Sequence, residues 1–278
     1  MRRPRYALAA YDPEAAPYDT IWALCADAEH LFADQLPLRP AVFGGRDEAR
    51  DGPLEELAEP PVRLLGCSPR GALKDALGSG RGDLGHGSVL RLGRLGQTLQ
   101  HAVEGEVVAW IPSARGRGLV DLTLDPWTVR PPRAAGEVWD TWWGGRPTEP
   151  NLWARHGAEG RAHWLAVARR APGRHGPVAG PGATYHLDGR HITDEPAFYC
   201  ALGEALDGPG GYAGRDLDTL SRRLRGGTGA VPPFTLVWHD AHVAGTCLGV
   251  TPRTDDRPPC FEELLDRLAL SGVEVVLA

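Results

Sequence analysis

The stretch HLDGRHITDEPAFYCALGEALDGPGGYAGRDLDTLSRRLRGG, residues 186–227, decides the fold of the last third of this 278-residue chain. It opens with the end of a short strand and an Asp-Gly turn. Thr193 or Asp194 can then cap a helix that has Pro196 in its first turn. A glycine-rich break follows, and a second helix is predicted over Leu217–Leu224, ended by a Gly-Gly pair.

The pattern continues towards the C-terminus. Phe234–Trp238 is an apolar run typical of a buried strand, Cys260–Leu270 has helical spacing, and Val273–Leu277 is a further strand. With Tyr185–Leu187 as the first strand, strands alternate with helices, which indicates a parallel sheet. We therefore predict an α/β domain over residues 184–278, with a three-stranded parallel sheet covered by helices.

The quoted run, with FTLVW and the terminal SGVEVVLA, is similar to the barstar family of barnase inhibitors over residues 185–278. The shared order includes the motif Gly-Tyr-x-Gly-x-x-Leu-Asp-x-Leu, a Gly-Gly pair and a strand that ends in Trp. The resemblance implies a three-stranded parallel sheet and an inhibitory role. It also implies that a helix and the loop before it enter the active-site groove of a basic ribonuclease, where acidic side chains replace the phosphates of RNA.

The family's binding positions map onto the loop before the second helix, that helix, and the last helix. The expected partner-binding residues are Tyr212, Gly214, Asp216, Leu217, Asp218, Arg222, Glu263 and Asp266. Asp218 could instead be a surface residue paired with Arg222 along the helix, and Tyr212 could pack beneath the loop. The family context favours an interface role for Asp218.

The sequence departs from the family at two positions. One helical turn after Asp218 the family commonly has a second acid, whereas this chain has Arg222. In the last helix Arg267 occupies the place of a family Glu. The expected binding helix is therefore locally basic, which favours a scaffold retargeted to another toxin with acidic residues around its cleft.

Charge is distributed unevenly along the chain. From Tyr185 onward there are 14 acidic residues and 8 arginines, whereas the preceding part has 22 acidic and 22 basic residues. An acidic module attracts basic partners and repels nucleic acid and anionic membranes. We therefore expect a protein partner with a basic cleft, such as a ribonuclease or another toxin, and no nucleic acid or membrane contact.

The cysteine pattern and the hydropathy of the sequence indicate the cellular compartment of the protein. The five cysteines are odd in number, widely spaced and without a CxxC pair, which fits a reducing compartment. No apolar stretch approaches the length of a membrane span, and the N-terminus does not resemble a signal peptide. We therefore expect a cytoplasmic protein.

Residues 1–170 are expected to form a mixed α+β domain of unrecognised fold, joined to the C-terminal domain by a Pro/Gly-rich linker over residues 171–183. Predicted strands cover 5–10, 62–66, 90–95, 103–111 and 119–124, and a short helix covers 70–77. Apolar spacing predicts a further helix over Tyr18–Ala33, and His163–Arg169 is interpreted as a strand. The tryptophans between Trp139 and Trp164 are expected in a core or a domain contact rather than a recognition surface.

Three functions remain to be compared. The first is a barstar-like immunity protein or antitoxin, and the second is an adaptor that uses the same scaffold for another partner. An enzyme in residues 1–170 ranks last, because we find no combination of acid, base and nucleophile there. His239, His242, Asp240 and Cys247 lie close in sequence, but zinc needs three or four converging ligands, so we expect no metal and no cofactor.

Overall fold

The computed structural model describes residues 3–11, 21–33, 59–80, 84–171, 181–226, 230–249 and 258–278. The chain divides into two compact units, Met1–Arg133 and Ala134–Ala278. Among the described residues, no helix is both long and apolar enough to cross a membrane.

The first unit is an antiparallel sheet with the strand order β2-β1-β5-β6-β7-β4-β3. Its strands are β1 (Tyr6–Ala10), β2 (Ile21–Cys25), β3 (Asp27–Glu29), β4 (Val62–Pro69), β5 (His86–Leu92), β6 (Thr98–Pro112) and β7 (Val120–Pro126). β2 also pairs with β4, so the sheet closes on itself and is barrel-like. Helix α1 (Gly71–Gly78) follows β4 after one residue.

A bulge in β4 bends the strand at the point where the sheet closes. The register of β4 against β7 shifts between Leu64 and Cys67. Gly66, inside the bulge, has φ +59°, and its N–H donates to the Asp121 carboxylate at 2.8 Å. Bulges increase local twist, and a left-handed φ favours glycine, so Gly66 allows β4 to contact β7 and β2 together.

Most elements of this unit agree with their predicted positions, but the helix predicted over Tyr18–Ala33 is wrong. The described part of that range forms β2 and β3 instead. Ala23 and Cys25 are fully buried, while Trp22 and Leu24, which alternate with them along the strand, are partly exposed. This alternation comes from pairing with β1 and β4, and such tertiary pairing overrides a local helical pattern.

The second unit contains a parallel sheet with the order β10-β9-β8, formed by β8 (Thr184–Asp188), β9 (Phe234–His239) and β10 (Val273–Leu277). Its helices are α2 (Arg133–Thr141), α3 (Ala158–Ala168), α4 (Glu195–Asp207), α5 (Leu217–Arg225), α6 (Ala241–Cys247) and α7 (Phe261–Leu270). Trp142–Gly144 and Leu152–Arg155 are short 3-10 helices. The predicted three-stranded parallel sheet with helices is confirmed.

Helix α4 is the centre of the second unit. Of the two predicted caps, Thr193 and Asp194, it is Asp194 that caps the helix, by accepting a hydrogen bond from the Ala197 N–H at 2.8 Å. All residues of Ala197–Gly203 are buried. The Phe198 ring stacks on Trp238 of β9 with centroids 5.4 Å apart, which ties the helix to the sheet.

Two segments of this unit differ from their predicted structure. The strand predicted over His163–Arg169 is wrong, because these residues belong largely to helix α3. α3 is buried on more than one side and packs against α4, and a short apolar run does not distinguish a buried strand from a buried helix. The segment after His239, for which the sequence predicted no helix, forms α6.

The tryptophan-rich segment packs within the C-terminal unit, although its sequence position suggested the N-terminal domain. Trp139, Trp142, Trp153 and Trp164 are each at most 1% exposed. Arg161 of α3 lies 2.6 Å from the Asp194 carboxylate, joining α3 to the start of α4. Residues 134–168 are therefore part of the core built on the parallel sheet. Most of the predicted linker, residues 172–180, lies outside the described residues.

Alanine substitution should change stability in opposite directions at two helical glycines. A Cβ at Gly203 would collide with the Gly211 carbonyl, whereas a Cβ at Gly245 would meet only Phe261, at 3.7 Å. Gly203→Ala should lower the free energy of unfolding by about 1–3 kcal/mol through overpacking. Gly245→Ala should raise it by about 0.5–1 kcal/mol, because alanine favours the helix. Urea unfolding of both variants measures this, and stabilisation by Gly203→Ala would contradict the packing.

Candidate functional site

A glycine-rich loop, 208–214, leads from α4 into α5, and its shape is determined by close approaches. Gly214 has φ +151°, and a Cβ there would lie 2.8 Å from the backbone nitrogen of Leu220. Gly210 has φ +68°, and a Cβ there would lie 2.9 Å from Pro147. A side chain at either position would move the loop, so the two glycines hold it close to its neighbours.

Asp216 caps helix α5. Its Oδ1 accepts a hydrogen bond from the Thr219 N–H at 2.7 Å, and the Thr219 Oγ1 accepts one from the Asp216 N–H at 3.2 Å. Partial burial raises the pKa of the Asp216 carboxyl, but the hydrogen bonds from Thr219 and the nearby Arg215 outweigh it. The pKa therefore lies below its ordinary value, and much of the Asp216 carboxylate is occupied within the chain.

The solvent-facing side of α5 carries charges of both signs. Asp218, in the first turn, and Arg222, in the last, are both exposed. The Arg222 Nε donates to the backbone carbonyl of Asp218 at 3.4 Å rather than to its carboxylate. Arg223 and Arg225 also lie in the last turn. An acid at the start and bases at the end suit the helix dipole, and the Asp218 carboxylate stays accessible.

Helix α7 packs beside α5 and supplies the remaining predicted residues. The Glu263 Oε2 accepts a hydrogen bond from the Cys260 N–H at 2.9 Å and so caps α7, whereas Asp266 is exposed. Tyr212 in the loop and Leu217 at the start of α5 are half-buried, and Gly214 is buried. The structure thus places the predicted residues on the loop, on α5 and on the adjacent helix α7.

Arg146, which the sequence analysis did not identify, holds the start of the loop by hydrogen bonds. The Arg146 Nε donates to the Pro209 carbonyl at 2.8 Å, and its Nη2 donates to the Asp207 carbonyl at 2.5 Å and lies 3.1 Å from the Asp207 carboxylate. The Nη2 also donates to the Gly208 carbonyl at 3.4 Å, so one arginine binds four acceptors at the end of α4. Its sequence position, 63 residues before Pro209, gave no local indication of this role.

Two partly buried carboxylates and Asn151 extend this support. The Asn151 N–H donates to Glu204 Oε2 at 2.8 Å, and the Asn151 side chain donates to Asp188 Oδ2 at 2.9 Å. Burial raises the pKa of Glu204, while a hydrogen bond from Arg190, with Asn151 assisting, lowers that of Asp188. Asn151 therefore joins Glu204 of α4 to Asp188 at the end of β8.

His186 of β8 and His239 at the end of β9 form a pair. The His186 Nδ1 lies 3.0 Å from the His239 Nε2, and the two rings stack with centroids 5.3 Å apart. His242 and Cys247 are exposed on α6. In the part of the chain that the structure describes, no group of three or more His, Cys, Asp and Glu side chains could hold a metal ion.

Comparison with known proteins identifies one family. Residues 183–252 match the family model described as Barstar (barnase inhibitor). The match begins just before β8 and extends past the end of α6, so it includes the loop and α5 but not Glu263 or Asp266. The resemblance of the C-terminal part to this family is confirmed. No curated protein and no solved structure matches the chain.

The cap at Asp216 predicts a pH dependence. Asp216→Asn keeps a capping oxygen but removes the charge. Because the folded pKa of Asp216 is lowered, the charged form stabilises the fold above the unfolded pKa of about 3.9 and loses this effect as pH falls through the folded value. The free energy of unfolding of the native chain should therefore exceed that of the variant by a constant amount from about pH 7 to 5. This difference should shrink below about pH 4. Urea unfolding at a series of pH values measures this difference. A difference that is as large at about pH 3 as at neutral pH would contradict the prediction.

Removing the Arg146 guanidinium should loosen the loop. Arg146→Met leaves the carbonyls of Asp207 and Pro209 without their donor, which should cost about 2 kcal/mol and speed hydrogen exchange across residues 207–211. Arg190→Met removes an exposed ion pair with Asp188 and is the control, expected to change stability little. Equal exchange in the two variants would show that Arg146 does not hold the loop.

Proposed function

We propose that the C-terminal unit is a barstar-like immunity protein or antitoxin that binds and occludes the active site of a ribonuclease or related toxin. The observation that carries this proposal is the family match over residues 183–252, which contains the loop and α5. The exposed carboxylate of Asp218 on a short, capped helix supports it.

The physical basis is charge complementarity. A ribonuclease presents Arg, Lys and His to a phosphodiester, so its cleft is positively charged. Asp218 on α5 and Asp266 on α7 are exposed carboxylates on adjacent helices, which can pair with such groups. Tyr212, half-buried in the loop before α5, offers an aromatic face with a polar tip, as interface anchors commonly do.

The mechanism in this proposal is occlusion without chemistry. The loop is supported by Arg146, and α5 is capped by Asp216, so little conformational freedom is lost when a partner binds. The interface would comprise Tyr212, Gly214, Asp216, Leu217 and Asp218 with the neighbouring charges of α5 and α7. We place the protein in the cytoplasm, where its free cysteines would stay reduced.

A specific observation favours the second candidate, an adaptor on a retargeted barstar-like scaffold. Arg222 is exposed at a position where the resemblance implies an acid, and Arg267, for which the resemblance implies a Glu, lies in the last turn of α7. A partner that accepts both Asp218 and Arg222 needs basic groups in its cleft and acidic groups nearby. The partner's own charge pattern therefore separates the two candidates.

The test begins with a pull-down from the source cell, in which the tagged full chain is recovered together with any protein bound to it. A small basic nuclease whose RNA cleavage stops on addition of the purified chain would support inhibition. A bound protein without nuclease activity would favour the adaptor.

Charge variants then locate the interface. Asp218→Ala should weaken binding of the recovered nuclease by about tenfold or more, because it removes a carboxylate from the contact. Glu274→Ala is the matched control, since it removes an exposed carboxylate from β10 and should leave binding unchanged. Arg222→Asp should tighten binding to a barnase-like ribonuclease. Unchanged binding by Asp218→Ala would place the interface elsewhere.

A further inference from the structure

The N-terminal unit has a groove of about 760 Å³ at one end of its sheet. Its walls come from the residues just before β1, the junction of β2 and β3, the second half of β4 with the residue after it, and the β6–β7 turn. Its described lining includes three arginines, Arg3, Arg70 and Arg115. We call it the arginine groove. It is independent of the surface proposed for the C-terminal unit.

Arg115 is held in the groove by its neighbours. A Cβ at Gly66 would lie 3.1 Å from the Arg115 Cδ, so the arginine stem passes directly over the bulge of β4. The Arg115 Nη2 lies 3.4 Å from the Asp27 carboxylate, which also lines the groove. The glycine and the carboxylate together orient the Arg115 guanidinium.

Among the described residues, no carboxylate pairs with either of the other two arginines. The Arg3 Nη1 donates to the backbone carbonyl of Arg94 at 3.3 Å. Arg70 is exposed, and within the described ranges its side chain has no hydrogen-bond or ion-pair partner. Among the described lining residues, three guanidiniums are therefore balanced by Asp27 alone. Guanidinium groups bind carboxylate and phosphate through paired N–H donors.

Apolar side chains form the rest of the wall. Pro4, Leu24, Ala26 and Leu119 line the groove between the arginines. Ligand sites commonly have a volume of about 300–1,000 Å³ and combine apolar walls with a few polar groups, and this groove has both properties. A ligand that uses the whole site needs an anionic group and an apolar body.

We propose that the arginine groove binds a small organic anion, a phosphate or carboxylate carried on an apolar group. Arg70 and Arg3 bind the anionic end, Arg115 contributes from the β6–β7 turn, and the apolar walls contact the body. Phosphate and carboxylate share this chemistry, and separate probes distinguish them.

The test uses the full chain and four probes in calorimetric and NMR titrations. Phenyl phosphate and benzoate present the two anions on an apolar ring, inorganic phosphate lacks the ring, and phenyltrimethylammonium reverses the charge. We expect saturable binding of at least one aryl anion, weaker binding of inorganic phosphate and none of the cation. The tighter aryl anion identifies the ligand class.

Variants separate the groove from general positive charge. Arg70→Gln and Arg3→Gln should each weaken binding of the aryl anion by about fivefold. Arg63→Gln is the matched control, because Arg63 pairs with Glu29 at 3.0 Å and does not line the groove. The proposal is overturned if neither aryl anion binds, if Arg63→Gln weakens binding equally, or if inorganic phosphate binds as tightly as phenyl phosphate.

Discussion

The C-terminal unit depends on the burial of helix α4. Because every residue of Ala197–Gly203 is buried, the helix needs packing partners around its whole circumference. The sheet provides one through Trp238, and α3 provides another, where the Cys200 thiol donates to the Arg161 carbonyl at 3.8 Å. The tryptophan-rich segment is therefore structural in this unit. It also reaches the start of the glycine-rich loop through Arg146, so the packing of α4 and the position of the candidate site are linked.

The acidic residues of this unit serve two different purposes. Asp216 and Glu263 cap helices, and Glu204 accepts a backbone hydrogen bond, so these carboxylates stabilise the fold. Asp218 and Asp266 remain exposed and are the ones a partner can reach. The net charge of the C-terminal part therefore overstates the negative charge that it presents, because a carboxylate already satisfied by N–H donors contributes less to an interface.

Much of the fold could be predicted because its signals are local. Asp194, Pro196 and the glycines around α5 act on residues only a few positions away. The helices whose ends they mark lie where the apolar spacing predicts them. β2 was missed because its alternating burial results from pairing with β1 and β4. α3 was missed because an apolar run that is buried on several sides has no distinct period. The positions of the candidate site residues followed from the family resemblance, whereas their accessibility did not.

The sequence alone therefore determined the order of strands and helices in the C-terminal part, the loop with its capped helix, and the resemblance to an inhibitor family. Only the tertiary structure decided that residues 134–168 belong to the same core, that Arg146 supports the loop, and which carboxylates face solvent. The reason is distance along the chain. Caps and turns join residues three or four apart, whereas Arg146 and Pro209 are 63 residues apart and meet only once the chain has folded.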